Sequence, residues 1–373
     1  MANEWTLSID LGTATTTAAH AYAGRGGAET LWLSNDGPGM PSSVFWDYPG
    51  RFLAGHEAVA RQVAHPVGFI PSAKEMLSAK SHYVLGQALP PHWPAAIVMQ
   101  SVVQRAIAVH NDTPPSGVVI THPYEWDEDS DPMQQITHAA ATLGLPHAAV
   151  RFMPEPIAAA RHFASHHRAR PGERIIVCDC GAGNTRAAVL EAQPGGEFAV
   201  VLADSARYDN GKATDKAVLS TARTHLEERY PHLSNALDNT RNMEERYEFF
   251  RQMKRAMHAL SHSPVVTVPV RVGGHTVELG ILRSEVEPQL RYVTDDLRRL
   301  LERVHKKANL QNLNNAATIY PVGGVSQIPQ LVNVLREFGN VAPLDYPETA
   351  VARGALSEPA APGLFDFLWT RKR

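Results

Sequence analysis

Short apolar runs rich in β-branched residues, each closed by glycine, alternate along the chain with stretches in which apolar residues return every three or four positions. That alternation predicts a mixed α/β protein. The first run, Leu7 to Asp10, ends at Gly12 and resumes from Thr15 to Ala23, so a hairpin is expected. Arg174 to Asp179 repeats the device, passing through Gly181 and Gly183 into Thr185 to Glu191. Asp10 and Asp179 stand 169 positions apart in these matching strand–Asp–Gly–strand units. Two related lobes are the expected result, each turning a hairpin toward a shared cleft. A third element, the strand Thr318 to Val322, runs into Gly323-Gly324 and a helix from Ile328 to Phe338.

Between these units, residues 39–93 carry many Pro, Gly and aromatic residues around a helical piece at Ala73 to Ala79, which predicts a small irregular insertion. Ala95 to Val109 reads as an amphipathic helix, Gly117 to Ile120 as a buried strand and Asp131 to Leu143 as a helix. A long helical region from Lys212 to Ala259 is interrupted near Pro231, and a hairpin from Val265 to Leu282 turns at Gly273-Gly274. Ser284 and Glu287 are spaced as a capping box heading a helix whose apolar positions are Val286, Leu290, Val293, Leu297, Leu300 and Val304.

Composition narrows the class. At 373 residues, two or three domains are expected, and 44% hydrophobic with 20% charged residues excludes a disordered or fibrous chain. A formal net charge of −3 argues against a general nucleic-acid binder. Cys178 and Cys180, at i and i+2, fit neither a disulfide framework nor a four-ligand zinc site, and read as core packing behind a ligand-facing Asp179. With no leader-like start and no apolar run of spanning length, a soluble cytoplasmic protein is expected, and a membrane contact only through the tail. His162, His166 and His167 lack the intervening carboxylate of a metal motif and read as a solvated helix end.

The glycine turns carry the candidate chemistry. Asp10, Gly12, Thr13 and Ala14 offer converging N–H groups and a hydroxyl that suit phosphate oxygens. A polar turn of no function would look much the same. The second turn, Asp179 with Gly181, Ala182, Gly183 and Asn184, could grip the same polyphosphate from the other side, and Asp10 with Asp179 could hold a hydrated magnesium ion. Gly323-Gly324 before a helix is a third phosphate-compatible element. The chain has no Walker-type loop, because Gly211-Lys212 lacks a glycine at Ala206.

Ile9-Asp10-Leu11-Gly12-Thr13, Met40-Pro41-Ser42-Ser43, Ala73-Lys74, Glu155-Pro156 with Ala158 to Ala160, Asp179 with its glycines, Gly323-Gly324 through Ile328-Pro329, and Ala350-Val351-Ala352 with Gly354-Ala355 together resemble the ATPase domain of the seventy-kilodalton heat-shock chaperones, in that family's order. The resemblance implies an actin-like ATPase fold of two lobes, each with an RNase H-like core sheet, closing on ATP or ADP with Mg2+. The implied division is lobe I over 1–165 with an outer insertion at about 38–94, lobe II over 166–345 with an outer subdomain at about 209–288, and over 346–373 a helix returning to lobe I plus a short tail. It further implies that Asp10 and Asp179 organise the magnesium and its waters, that Lys74 reaches the γ-phosphate, that Glu155 orients the attacking water and that Thr13 lies by the phosphates. The resemblance also implies that Lys254, Met257, His258, Gln327 and Glu348 fall in the adenosine pocket.

Departures from the family pattern are also expectations. Asn184 and Arg186 replace a threonine and an aspartate, which puts a potassium requirement in doubt, and Gln327 replaces an arginine that stacks on adenine. The segment from Tyr124 to Met133 differs in length and lacks the arginine that relays nucleotide state, and only Leu356 to Arg373 follows the last motif, so a peptide-binding domain is not expected. Within that tail, Leu364 to Trp369 and Arg371 to Arg373 read as a docking peptide, a membrane-surface contact or a terminal element on the core. The function implied is a slowly hydrolysing, chaperone-like ATPase that signals to a protein partner by lobe closure. Rival readings are an actin-like filament or scaffold, a nucleotide-binding pseudo-ATPase and a small-molecule kinase.

Overall fold

A computed structural model describes residues 4–357, except 25, 36, 48–49, 80–81, 168, 207–209, 240–242, 311–316 and 344–345. The tail motifs from Leu364 to Arg373 lie outside the described residues.

Two core sheets share one plan. The first runs in the order Val150–Pro154, Gly117–His122, Trp5–Leu11, Thr15–Tyr22, Glu29–Leu31, with Met40–Pro41 also pairing with Thr15–Tyr22. The second runs Phe198–Ser205, Thr185–Ala192, Arg174–Cys180, Thr318–Val322. In each, the hairpin is antiparallel and its first strand pairs in parallel with a later one. The hairpin registers coincide: Trp5 faces Tyr22 and Asp10 faces Thr17, while Arg174 faces Glu191 and Asp179 faces Arg186, each number raised by 169.

Burial explains why the central strands form. Leu7, Ile9 and Leu11 are buried on one face of Trp5–Leu11, beneath Val98, Met99 and Val102 of the helix Trp93–Val109. Ser8, on the other face, is fully buried too, and its hydroxyl donates to the Ala352 carbonyl at 2.5 Å. The second sheet packs Ile176, Cys178, Cys180 and Val189 against the helices Asn210–Arg229, Met243–His262, Arg291–Lys307 and Pro329–Phe338. Both thiols are free and buried, as expected of core residues.

Between the sheets lie the helices Glu155–His166 and Ala350–Gly354. Ala158, Ala159, Ala160, Ala350 and Val351 share one apolar cluster with Val119 of the first sheet and with Ile175 and Val177 of the second. Small residues permit this close crossing. A Cβ on Gly354 would sit 1.8 Å from the Ala158 carbonyl oxygen, a distance only glycine avoids. Gly354→Val therefore destabilises by about 1–3 kcal/mol through overpacking, whereas Gly26→Ala, which meets nothing within 4 Å, is near neutral. Urea unfolding of the two variants checks the contrast.

Several expectations need correction. The insertion is not irregular: Arg51–Ala54, Val44–Asp47 and Phe69–Ile70 form a three-stranded sheet beside the helix Gly55–Ala64, and the helical piece is confined to Ala73–Met76. Ser284 does not head a capping box, because helix already begins at Arg283, and it is the Glu285 carboxylate that accepts from the Leu282 N–H at 2.9 Å. Pro288, which has no N–H, tightens Glu287–Leu290 to 3-10 geometry, so the continuous helix starts only at Arg291. His162 is buried with Nδ1 2.6 Å from the Tyr320 hydroxyl, not solvated. The break at Pro231 and the hairpin at Gly273-Gly274 are as expected. No helix among the described residues is long and apolar enough to cross a membrane.

Candidate active site

The two hairpin turns meet. A Cβ on Gly183 would lie 2.8 Å from Thr13 Oγ1, so the turn of the second hairpin looks directly into that of the first. Gly323, at φ 84°, closes the floor: a Cβ there would strike the Cys180 carbonyl at 2.6 Å and Asp179 Oδ1 at 2.8 Å. Only glycine takes this left-handed conformation without strain at such close range. Around the meeting point opens a cleft of about 470 Å³.

Every candidate residue borders this one cleft: Asp10, Gly12, Thr13 and Ala14 on one wall, Asp179 and Gly181 to Asn184 on the other, Gly323 and Gly324 below, Lys74 and Glu155 between, and Lys254, Met257, His258, Gln327 and Glu348 toward the outer end. Lys74 projects from the short helix Ala73–Met76, which Ser72 caps by accepting from the Glu75 N–H at 3.2 Å. Its ammonium donates to Glu155 Oε1 at 2.6 Å, with both side chains largely buried. Glu155 is the first residue of its helix, a position that favours negative charge. At the outer end Gln327 donates to Glu348 at 3.1 Å and Lys254 pairs with Asp215 at 3.4 Å. Lys212 pairs with Glu75 at 2.9 Å, joining the helix Asn210–Arg229 to the insertion across the opening.

Electrostatics separate the three buried carboxylates. Burial, then the charge of Glu155, pushes Asp10 up to about 6, against the pull of Lys74 and a 2.8 Å hydrogen bond from Thr121. Asp179 rises to about 7 for the same two reasons, with Asp10 adding to the repulsion. Burial also raises Glu155, but Lys74, Arg186 and His122 together outweigh it and hold Glu155 below the usual carboxylate range. Two carboxyls whose ionisation is penalised by burial and like charge suit a divalent cation, which would reverse both effects. No group of three or more His, Cys, Asp or Glu able to hold a metal occurs among the described residues. A hydrated ion held by two carboxylates, as magnesium prefers, fits that donor set.

Sequence reasoning missed Thr121 and Glu125. Thr121 extends the buried strand that begins at Gly117, so continuing the apolar run past Ile120 would have found it. Glu125 accepts from Arg186 Nε at 2.6 Å across the two halves, and no local pattern marks such a pair.

Comparison with known proteins agrees with this geometry. The family model described as Hsp70 protein matches residues 8–359. The chain is 28% identical over 325 residues to heat shock 70 kDa protein BIP3 of Oryza sativa subsp. japonica, covering 83% of this chain and 46% of the relative. To chaperone protein DnaK of Metamycoplasma hominis it is 24% identical over 369 residues, covering 96% of this chain and 59% of the relative. The chain thus spans about half the length of the curated relatives it matches. With a match over nearly its whole length, and facing glycine turns that supply the physical reason for it, the chain belongs to the Hsp70 family and has the actin-like ATPase fold which that family implies.

Proposed function

We propose that this protein binds ATP with magnesium in the cleft, hydrolyses it slowly to ADP and phosphate, and reports the nucleotide's state to a protein partner through closure of the two halves. The observation that carries the reading is the juxtaposition of two glycine turns with the buried Lys74–Glu155 pair on the same cleft. Backbone N–H groups of both turns would take phosphate oxygens, and Asp10 and Asp179 would hold the metal through its waters. Magnesium, when bound, neutralises phosphate charge and lends electrophilicity to the phosphorus.

The chain's own residues then do three things. Lys74 places a compact cation beside the terminal phosphate, where charge builds as the bond to it breaks. Glu155, held ionised, accepts a hydrogen bond from the attacking water and orients it. Thr13 lies where the two turns converge and fixes the phosphate chain. Closure is guided by Lys212 and Glu75, which face each other across the opening. A cytoplasmic setting, consistent with two buried free thiols, is part of the proposal.

Isothermal titration with ATP and ADP, with and without magnesium, followed by phosphate release, tests it. Magnesium-dependent binding with slow release is expected; absence of binding overturns the reading. Binding with no release gives the second reading, a nucleotide-binding protein without turnover. The pairing of Glu155 with Lys74 favours that outcome, since it lowers the basicity of Glu155.

A further inference from the structure

Arg186 is a cation on the cleft side of the second hairpin that has no counterpart in the first. It stands directly opposite Asp179 in the second hairpin, so the two side chains lie on the same sheet face, the face toward the cleft. In the first hairpin the matching position, opposite Asp10, is the neutral Thr17. A long charged side chain that only filled space could be replaced there by a hydroxyl, as the first half demonstrates.

The bonding of Arg186 is one-sided. A guanidinium carries five N–H donors. Nε donates to Glu125 Oε1 at 2.6 Å, and the Nη groups have no hydrogen-bond acceptor among the described residues. Glu155 and Asp179 are close enough to act on its charge without touching it. The side chain borders both the main cleft and a second cavity of about 230 Å³ between the halves. Nε is therefore anchored, the Nη groups have donors to spare, and the residue lines the same cleft as Glu155 and the glycine turns.

We propose that Arg186 discriminates triphosphate from diphosphate: with Nε held by Glu125, its Nη edge receives the terminal phosphate, an oxyanion whose spacing matches the guanidinium fork. The inference rests on the ATP-binding reading above and deepens it. Glu125 is the positioning residue. It belongs to the segment after Gly117–His122, in the other half of the molecule, so docking of the terminal phosphate draws on a contact that spans the seam.

The test compares the affinities of ADP and of the β,γ-imido analogue of ATP, both with magnesium, by isothermal titration. For Arg186→Leu the analogue is expected to weaken at least tenfold and ADP less than threefold. Arg186→Lys, which keeps the charge and the fold but loses the fork, is expected to fall between wild type and Arg186→Leu for the analogue alone. Glu125→Gln retains an acceptor for Nε and is expected to narrow the preference by about threefold. Parallel weakening of both nucleotides, or an unchanged ratio in both Arg186 variants, overturns the inference while the ATP-binding reading stands. Wild-type protein that binds neither nucleotide overturns the ATP-binding reading itself, and this inference with it.

Discussion

Lys74→Ala and Glu155→Gln each lower magnesium-dependent phosphate release by about 100- to 1000-fold, the range found when one preorganised charge-stabilising group is removed from an active site. The two losses arise differently. Without Lys74, the terminal phosphate loses its cation and Glu155 is left buried without its partner at 2.6 Å, so its pKa rises. With Gln at 155, the lysine keeps a hydrogen-bond acceptor, and what disappears is the charge proposed to orient water. Because the two groups act on one step and on each other, the double variant is expected to be far less than the product of the singles. Single-turnover phosphate release separates these cases, and a result within threefold of wild type for both single variants removes the assigned roles.

Asp179→Asn stabilises the magnesium-free, nucleotide-free protein at pH 8. The Asp179 carboxyl ordinarily titrates at 3.8 and here at about 7, chiefly from burial and then from Glu155. Between those values the folded protein holds a proton that the unfolded chain has released, so stability falls as pH climbs through that window, and the full cost is present above it. At 1.36 kcal/mol per pKa unit the cost is on the order of 4 kcal/mol. Asparagine removes the charge and the cost together. Urea unfolding at pH 8 should therefore favour the variant, with the gap shrinking toward pH 5. Added magnesium and ATP should reverse the order, since on the proposed reading the Asp179 carboxylate helps to hold the ion through its waters. Equal stabilities across the range would show that Asp179 is not the strained group.

What was legible in the sequence was what is local. Strand, aspartate, glycine and strand lie within about twenty positions of each other in each hairpin, and the offset between Asp10 and Asp179 carried over unchanged to Thr17 and Arg186. Of the cleft residues, those in the glycine turns followed from these local patterns, whereas Lys74, Glu155, Lys254, Met257, His258, Gln327 and Glu348 followed only from the family resemblance. Several of the shortest elements were not legible. Met40–Pro41, Phe69–Ile70 and Val150–Pro154 are too short to show a period and are fixed by their partners in the sheet. Pro288 illustrates a local signal overridden by a neighbour: the apolar spacing from Val286 to Val304 is helical, yet one missing N–H divides it. His162 failed as an expectation because its surroundings come from Tyr320, a strand remote in sequence. The Arg186–Glu125 pair belongs to the same class, since a charge on one hairpin says nothing of which loop will face it.

The crossing of Glu155–His166 with Ala350–Gly354 has a mechanical corollary. Alanine and glycine have no rotamers to exchange, so a contact in which Ala158, Ala159, Ala160, Ala350 and Gly354 take part, with Val351 and His162 the larger side chains beside them, has little side chain to interlock. Such a joint has fewer side chains to repack on shearing than the leucine-rich interiors on either side. Glu155 sits at the very tip of one of the sliding helices. Any motion at the bearing would thus reach the carboxylate proposed to orient a water molecule.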